Sequence, residues 1–182
     1  KRWNVDDDQP ADFNEIQDAI EAAKEGDTIF VHSGTYSGAI TINKGLSLIG
    51  EDKDLTFIYG HEGDVIHVAA DNVSISGFTI MNSGIYYCGI VIDHSRNVVI
   101  SFSSICSNSW DAVTCRSCVD VSILANNLSL NENAGVTLLE SSVITVSCNV
   151  ISSNGVGIYL YLSSNNIIFN NNFVNNEQDV DT

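Results

Sequence analysis

Residue types recur along the second half of the chain at intervals of 23 positions, and this spacing decides which side chains could work together. Asp93 falls in line with Arg116 and then Leu139, and His94 with Ser117 and then Glu140. Paired carboxylates perform acid–base work because one donates a proton while the other activates water or binds a metal. Asp93, His94, Arg116 and Glu140 are therefore the candidate catalytic set. The set lacks a second carboxylate one interval from Asp93, and Asp93 with Arg116 also reads as an exposed ion pair of small energetic weight.

Cysteine is the second reactive type. Cys88, Cys106, Cys115, Cys118 and Cys148 make an odd number, so at least one lacks a partner within the chain. Cys88, Cys106 and Cys118 fall at turn or outward positions, where disulfides between chains are the functional expectation and burial as small apolar residues the structural one. Cys115-Arg116-Ser117-Cys118 has Cys-x-x-Cys spacing, but Cys115 takes an inward position equivalent to Ile92 and Leu138, and no helix follows to stabilise a thiolate. Cys148, in line with Phe102 and Ala125, is expected inside. Asp6, Asp7 and Asp8 offer oxygen ligands for calcium, or else form a solvated turn before a helix. With Met81 and the scattered His32, His61, His67 and His94 as the other soft donors, no copper set is visible, and no cofactor is expected. Asn72-Val73-Ser74 and Asn127-Leu128-Ser129 match the glycosylation sequon. Tyr86, Tyr87, Trp110, Tyr159 and Tyr161 are candidate stacking platforms for sugars, with Tyr159 and Tyr161 on one side of one strand.

The elements that must carry these residues begin with a short strand at Trp3-Asn4-Val5 and the only proline, Pro10. A helix follows, with Asp12 as its N-cap, Glu15 completing a capping box, and Phe13, Ile16, Ile20 and Ala23 on one face. After Gly26 the period becomes that of strands, in short apolar runs broken by Gly, Asn, Asp or Lys. Val98, Val121, Ile144 and Ile167 align at 23-residue steps, as do Ile105, Leu128, Ile151 and Val174. Ser103, Asn126, Asn149 and Asn172 align likewise, as do Asn108, Asn131 and Asn154.

A repeat of this length in an all-β chain means stacked coils. The expected fold is a single-stranded right-handed parallel β-helix of about six coils. Residues 1–27 form the strand and a capping helix, 28–176 the β-helix, and 177–182 an acidic tail. Asn126, Asn149 and Asn172 are expected to form a structural ladder, hydrogen-bonding along the axis.

Composition narrows the function. The net charge is −16, yet fifteen of the 23 carboxylates lie at or before Asp71. Beyond Lys53 only Arg96 and Arg116 are cationic, so nucleic acid has no basic stripe to meet. No apolar run is long enough to cross a membrane as a helix, and the first residues do not read as a signal peptide, as expected of a mature exported form.

Val5-Asp6-Asp7-Asp8, Ala11-Asp12-Phe13, Ile16-Gln17-Asp18-Ala19-Ile20, Gly26-Asp27-Thr28-Ile29, Gly34-Thr35-Tyr36 and Leu46-Ser47-Leu48-Ile49-Gly50-Glu51 resemble the opening of pectin-lyase-like β-helices with carbohydrate-binding and sugar-hydrolysis repeats. These include periplasmic copper-transfer proteins and surface or sheath proteins of methanogenic archaea. The resemblance implies an extracellular, cell-surface setting. The expected function is structural: self-assembly into a surface layer or sheath, with copies of itself as partners. An uncovered last coil, a neutral exterior and intermolecular disulfides would drive that association. The alternatives are a polysaccharide-active lyase, hydrolase or epimerase, and a non-catalytic carbohydrate-binding module.

Overall fold

Short strands of three to six residues are stable only when each is hydrogen-bonded on both sides, and here the chain achieves this by coiling. The computed structural model describes residues 1–182. All strand pairs are parallel and fall into three sheets, which we call A, B and C in the order the chain visits them. Sheet A has eight strands and sheets B and C seven each, so the right-handed β-helix has about eight coils rather than six. The extra coils escape the 23-residue alignment because the early turns are of unequal length: Thr28 lies against Ser47, and Ser47 against Ser74.

Both chain ends join the sheets. Arg2–Val5 pairs with Thr28–Val31 and opens sheet A. Gln178–Asp181, expected as an acidic tail, is instead a strand paired with Val156–Tyr161 in sheet C. The helix Ile16–Ala22 buries Ile16, Ala19 and Ile20 over the first coil, the predicted capping role. Its cap differs from expectation. Glu15 occupies the N-cap without a side-chain bond, while the Asp12 carboxylate accepts the Asn4 backbone N–H at 2.9 Å. Asp12 therefore ties the helix entry to the first strand instead of closing a capping box.

Inward aliphatic side chains of the three sheets form one continuous core, from Val5 and Ile16 to Ile151 and Ile158. At the regular corners from His94 onward the chain turns through a residue in the left-handed region. Phe102, Ala125, Cys148 and Asn170 do so between sheets A and B, and Ser107, Leu130, Ser153 and Asn175 between B and C. His94, Ser117, Glu140 and Leu162 do so between C and A. This conformation costs about 1 to 2 kcal/mol for a side chain bearing Cβ. The residue that follows each of these points inward and binds the next coil.

After the first corner that residue is Ser103, Asn126, Asn149 or Asn171. Asn149 Oδ1 accepts the Asn126 backbone N–H at 2.8 Å, and Asn149 Nδ2 donates to the Ile123 carbonyl at 2.8 Å and to Asn171 Oδ1 at 2.9 Å. A parallel ladder joins Asn108, Asn131, Asn154 and Asn176. At the third corner Cys118 and Ser141 take the place of asparagine: Cys118 N–H donates to Ser141 Oγ at 3.0 Å, and Ser141 N–H to Ser163 Oγ at 3.0 Å.

Asn171, not Asn172, is the last rung of the first ladder. Asn131 lies against Asn154 and Ala134 against Val156, so Gly155 alone spans the turn that Glu132 and Asn133 span one coil earlier. The last step is consequently 22 residues. Ile168 and Phe173 then face the core, and Ile167, Phe169 and Val174 face out.

Replacing Asn149 with Ala strands the buried Asn126 N–H and Ile123 carbonyl of the preceding coil and removes a donor from Asn171 Oδ1 on the next, and should cost roughly 2 to 4 kcal/mol in urea unfolding. Asn172→Ala, at an exposed position just after the last rung one coil on, should stay within about 0.5 kcal/mol of wild type. Equal losses would contradict the register described.

Candidate functional site

Asp93 and Arg116 occupy the last outward positions of the strands Ile90–Asp93 and Val113–Arg116, which pair directly. Arg116 Nη1 lies 3.8 Å from Asp93 Oδ1, and His67 Nε2 lies 2.9 Å from Asp93 Oδ2. His67 was not among the candidates from the sequence because the step from its coil is irregular. His94 and Glu140 are left-handed corner residues whose exposed side chains make no hydrogen bond or ion pair. The structure thus gathers Asp93, Arg116 and His67 and leaves His94 and Glu140 aside. One carboxylate held between a guanidinium and an imidazole is a polar surface network, and it contains no carboxylic acid and base across a shared space.

The chemically richer place lies beside it on the outer face of sheet C. A groove of about 370 Å³ is lined by Trp110, Asp111, Thr114, Arg116, Asn133, Thr137, Leu139, Val156, Tyr159 and Asp181. The column Thr114, Thr137, Tyr159 and Asp181 crosses four coils along the axis. Asp111 precedes the strand, in a column otherwise held by Cys88 and Ala134, and is 2% exposed.

Its carboxylate is fully engaged: Oδ2 accepts Thr114 Oγ1 at 2.7 Å, and Oδ1 accepts Asn133 Nδ2 at 2.7 Å and Ala134 N–H at 3.0 Å. Burial nonetheless pushes the Asp111 carboxyl above the usual range, because desolvation outweighs these bonds. Thr137 Oγ1 is buried at the groove floor with no hydrogen-bond partner. At the rim, Trp110 meets Tyr86 edge to face at 5.7 Å. Trp110 and Tyr159 were candidates from the sequence. Asp111, Thr137 and Asp181 were not, and the one available signal was an aspartate standing where the adjacent coils have Cys88 and Ala134.

All five cysteines are free. Cys88 and Cys118, expected at outward or turn positions, are buried, whereas Cys148, expected inside, is exposed, and Cys106 is half-buried as an outward residue of sheet B. For Cys118 and Cys148 the reversal follows from the corners, where a left-handed residue such as Cys148 points outward and the next residue inward, breaking the alternation of strands, whereas Cys88 is buried in the column just before its sheet C strand. Cys118 is a ladder residue whose Sγ faces the Ile92 carbonyl at 3.2 Å. The Cys88 thiol meets Thr114 Oγ1 at 3.3 Å and is pushed up to about 11 by burial.

Ligand atoms of Asp6, Asp7 and Asp8 lie within 4.8 Å of one another. Two of these carboxylates already serve the backbone: Asp6 Oδ1 accepts the N–H groups of Asp8 and Gln9, and Asp7 Oδ2 that of Thr35. The sequon residues Asn72 and Asn127 are both exposed.

Residues 20–182 match the family described as periplasmic copper-binding protein (NosD). The chain belongs to the NosD family. It is also 32% identical over 98 residues to a cell surface glycoprotein of Methanothermus fervidus, a match covering 49% of this chain and 16% of that protein. The NosD-family chain thus spans about a sixth of the length of that relative.

Solved structures share the fold at low identity. The ORF18 protein of Geobacillus virus E2 superposes with a TM-score of 0.70 at 18% identity, over 87% of this chain and 37% of that one. Alginate lyase from Paenibacillus sp. gives 0.64 at 15%, over 86% and 72%, and pectin methylesterase from carrot 0.61 at 13%, over 96% and 63%.

The family description implies copper, and the donors of this chain do not fit it. The one cluster of three ligating side chains is Asp6, Asp7 and Asp8, hard oxygens rather than the nitrogen and sulfur copper prefers. The one adjacent soft pair, Cys115 and Cys118, is fully buried in the core and offers two donors where a site needs more.

Two measurements check this description. Alkylation of the native protein should modify Cys148 first and Cys106 slowly, with Cys88, Cys115 and Cys118 protected until unfolding; early labelling of Cys88 would contradict the packing. Because the folded state raises the Asp111 pKa, this residue favours the fold most at low pH, and its contribution falls as pH rises through the folded value. Urea midpoints of Asp111→Asn should therefore decline less than those of wild type over that rise, and parallel profiles would count against a buried, protonatable Asp111.

Proposed function

We propose that this chain is a rigid structural module of an exported cell-surface protein, packing side by side with copies of itself through the outer faces of sheets A and B. The supporting observation is where charge is absent. The outward column that starts at Arg2 continues through Thr28, Ser47, Ser74, Val99, Ser122, Thr145 and Ile167. Beside it run Phe30, Ile49, Leu124 and Phe169 among serines. The outward columns of sheet B, from Thr35 and Ser37 to Asn172 and Val174, hold no charged residue. In a chain of net charge −16, Arg2 is the only charged side chain in these columns.

Sheets stack face to face at about 10 Å, and any charge caught between them must be desolvated at a cost of several kcal/mol. Faces with few charges largely avoid that cost: sheet B has none in its outward columns, and sheet A carries Arg2, Arg96 and Asp120 near its edges. The similarity to a methanogen cell surface glycoprotein supports the surface setting, and the fraction of its length that this chain covers suits one module among several. Cys148 lies on the corner between the two faces, so a disulfide between packed copies would form there and not at Cys88 or Cys118.

Sedimentation velocity and negative-stain microscopy test the reading. Lateral assemblies should form with rising concentration and loosen with reductant. Ser122→Arg on sheet A or Ser129→Arg on sheet B should reduce association at least tenfold while leaving the melting temperature within a few degrees. A monomer that persists at high concentration with the cysteines oxidised would overturn it.

A further inference from the structure

Two inward columns of the β-helix break their pattern in the same coil. The column Ile92, Cys115, Leu138 and Leu160 is aliphatic except at Cys115. The column Ser95, Cys118, Ser141 and Ser163 is serine except at Cys118. We propose that Cys115 and Cys118 form an oxidative modification site, joined by a disulfide that pins the corner between sheets C and A from inside when the chain folds under oxidising conditions.

Each replacement alone is unfavourable. Cys115 fills less space than the isoleucine and leucine of the coils on either side. At the serine position, Ser141 Oγ donates to the Cys115 carbonyl at 3.3 Å and to the Leu139 carbonyl at 2.9 Å, and Ser163 Oγ to the Leu138 and Tyr161 carbonyls at 3.1 Å each. Cys118 Sγ meets the Ile92 and Arg116 carbonyls at 3.2 and 3.3 Å as a weaker donor. A bond between the two sulfurs gives both replacements one cause.

The corner brings the pair together. Arg116 ends the strand Val113–Arg116, Ser117 turns through the left-handed region at φ 51°, and Cys115 and Cys118 are the successive inward residues, both buried. An extended residue followed by a left-handed one is the backbone of a type II turn, which holds Cα atoms three positions apart within about 7 Å, the span a disulfide can bridge. The thiols act on each other: hydrogen bonding to Cys118 pushes the Cys115 thiol well up, and the same contact lowers Cys118 to about 7. Cys88 does not compete, because it precedes its strand in the column of Asp111 and its Sγ meets Thr114 Oγ1 at 3.3 Å.

Both sulfurs are thiols in the structure. Closure takes two exchanges with an external disulfide while the neighbouring coils are still open. The Cys118 thiolate attacks one sulfur of that disulfide and releases one thiol; the Cys115 thiolate then attacks the Cys118 sulfur and releases the second. Two cysteine thiols are oxidised, one disulfide is reduced to two thiols, and the two protons lost by the cysteines end on the released thiols. The inference rests on the exported setting proposed above, which supplies such oxidants, and not on lateral packing. Sulfur chemistry in vitro is read apart from association, so either can fail without the other.

A Cys106→Ser, Cys148→Ser background removes the two thiols outside the core. The full chain in that background is refolded from urea in a mixture of oxidised and reduced glutathione, unfolded again, and treated with N-ethylmaleimide without reductant. Mass spectrometry should find a single label, on Cys88, in at least about five times as many molecules as carry three, and three labels throughout after reduction. Cys118→Ser in the same background restores the serine of its column and should give two labels, with circular dichroism verifying the fold. Three labels after oxidative refolding, a concealed Cys88, or a Cys118→Ser variant that still conceals two thiols would each overturn the proposal.

Discussion

Every coil of this β-helix must leave its hydrogen-bonded ladder at three corners, and at each corner backbone N–H groups and carbonyls turn toward a dry core. An unpaired group there costs about 1 to 3 kcal/mol, and there are several per coil. The structure depends on meeting that demand. A left-handed residue makes the bend, and the next residue, Asn at two corners and Ser or Cys at the third, reaches inward to bond the coils on either side. The same bonds hold neighbouring coils in register, so the aliphatic columns between the corners coincide without voids.

Once the corners are set, the surfaces follow. Strict alternation within each short strand sends one set of residues into the core and the other outward, so the character of each face is decided position by position along its columns. On sheets A and B these are mostly Ser, Thr, Asn and scattered apolar residues, with Arg2, Arg96 and Asp120 the charged ones on sheet A strands. On sheet C the outward columns change from coil to coil, from His67 and Asp93 through Thr114 and Arg116 to Tyr159 and Asp181. A uniform face suits a repeated contact with another copy; a varied one suits a specific ligand.

Membership of the NosD family fixes the architecture here more firmly than the chemistry. The fold hosts unrelated activities, and this chain lacks a converging set of soft donors for copper. Its distinctive polar group is Asp111, placed in a buried column and balanced by Thr114, Asn133 and Ala134. A carboxylate kept in such surroundings for stability alone would be a poor choice, since a small apolar residue already serves at the adjacent position, Ala134.

The sequence by itself determined the β-helix, the helix that covers its start, the chain of Asn residues along the corners and the thinning of charge after Asp71. Stacked coils place identical environments at equal intervals, so like residues recur and the period is visible in one dimension. It did not determine the final register, because a turn shortened to Gly155 moves the last rung from Asn172 to Asn171 without disturbing the residue types nearby. It also misplaced Cys118 and Cys148, because a left-handed corner reverses the alternation that strands obey, and Cys88, which lies in the buried column just before its strand. The groove was decided by tertiary structure alone: Trp110, Asp111, Thr137, Tyr159 and Asp181 follow no repeat, and only stacking of four coils brings them to one surface.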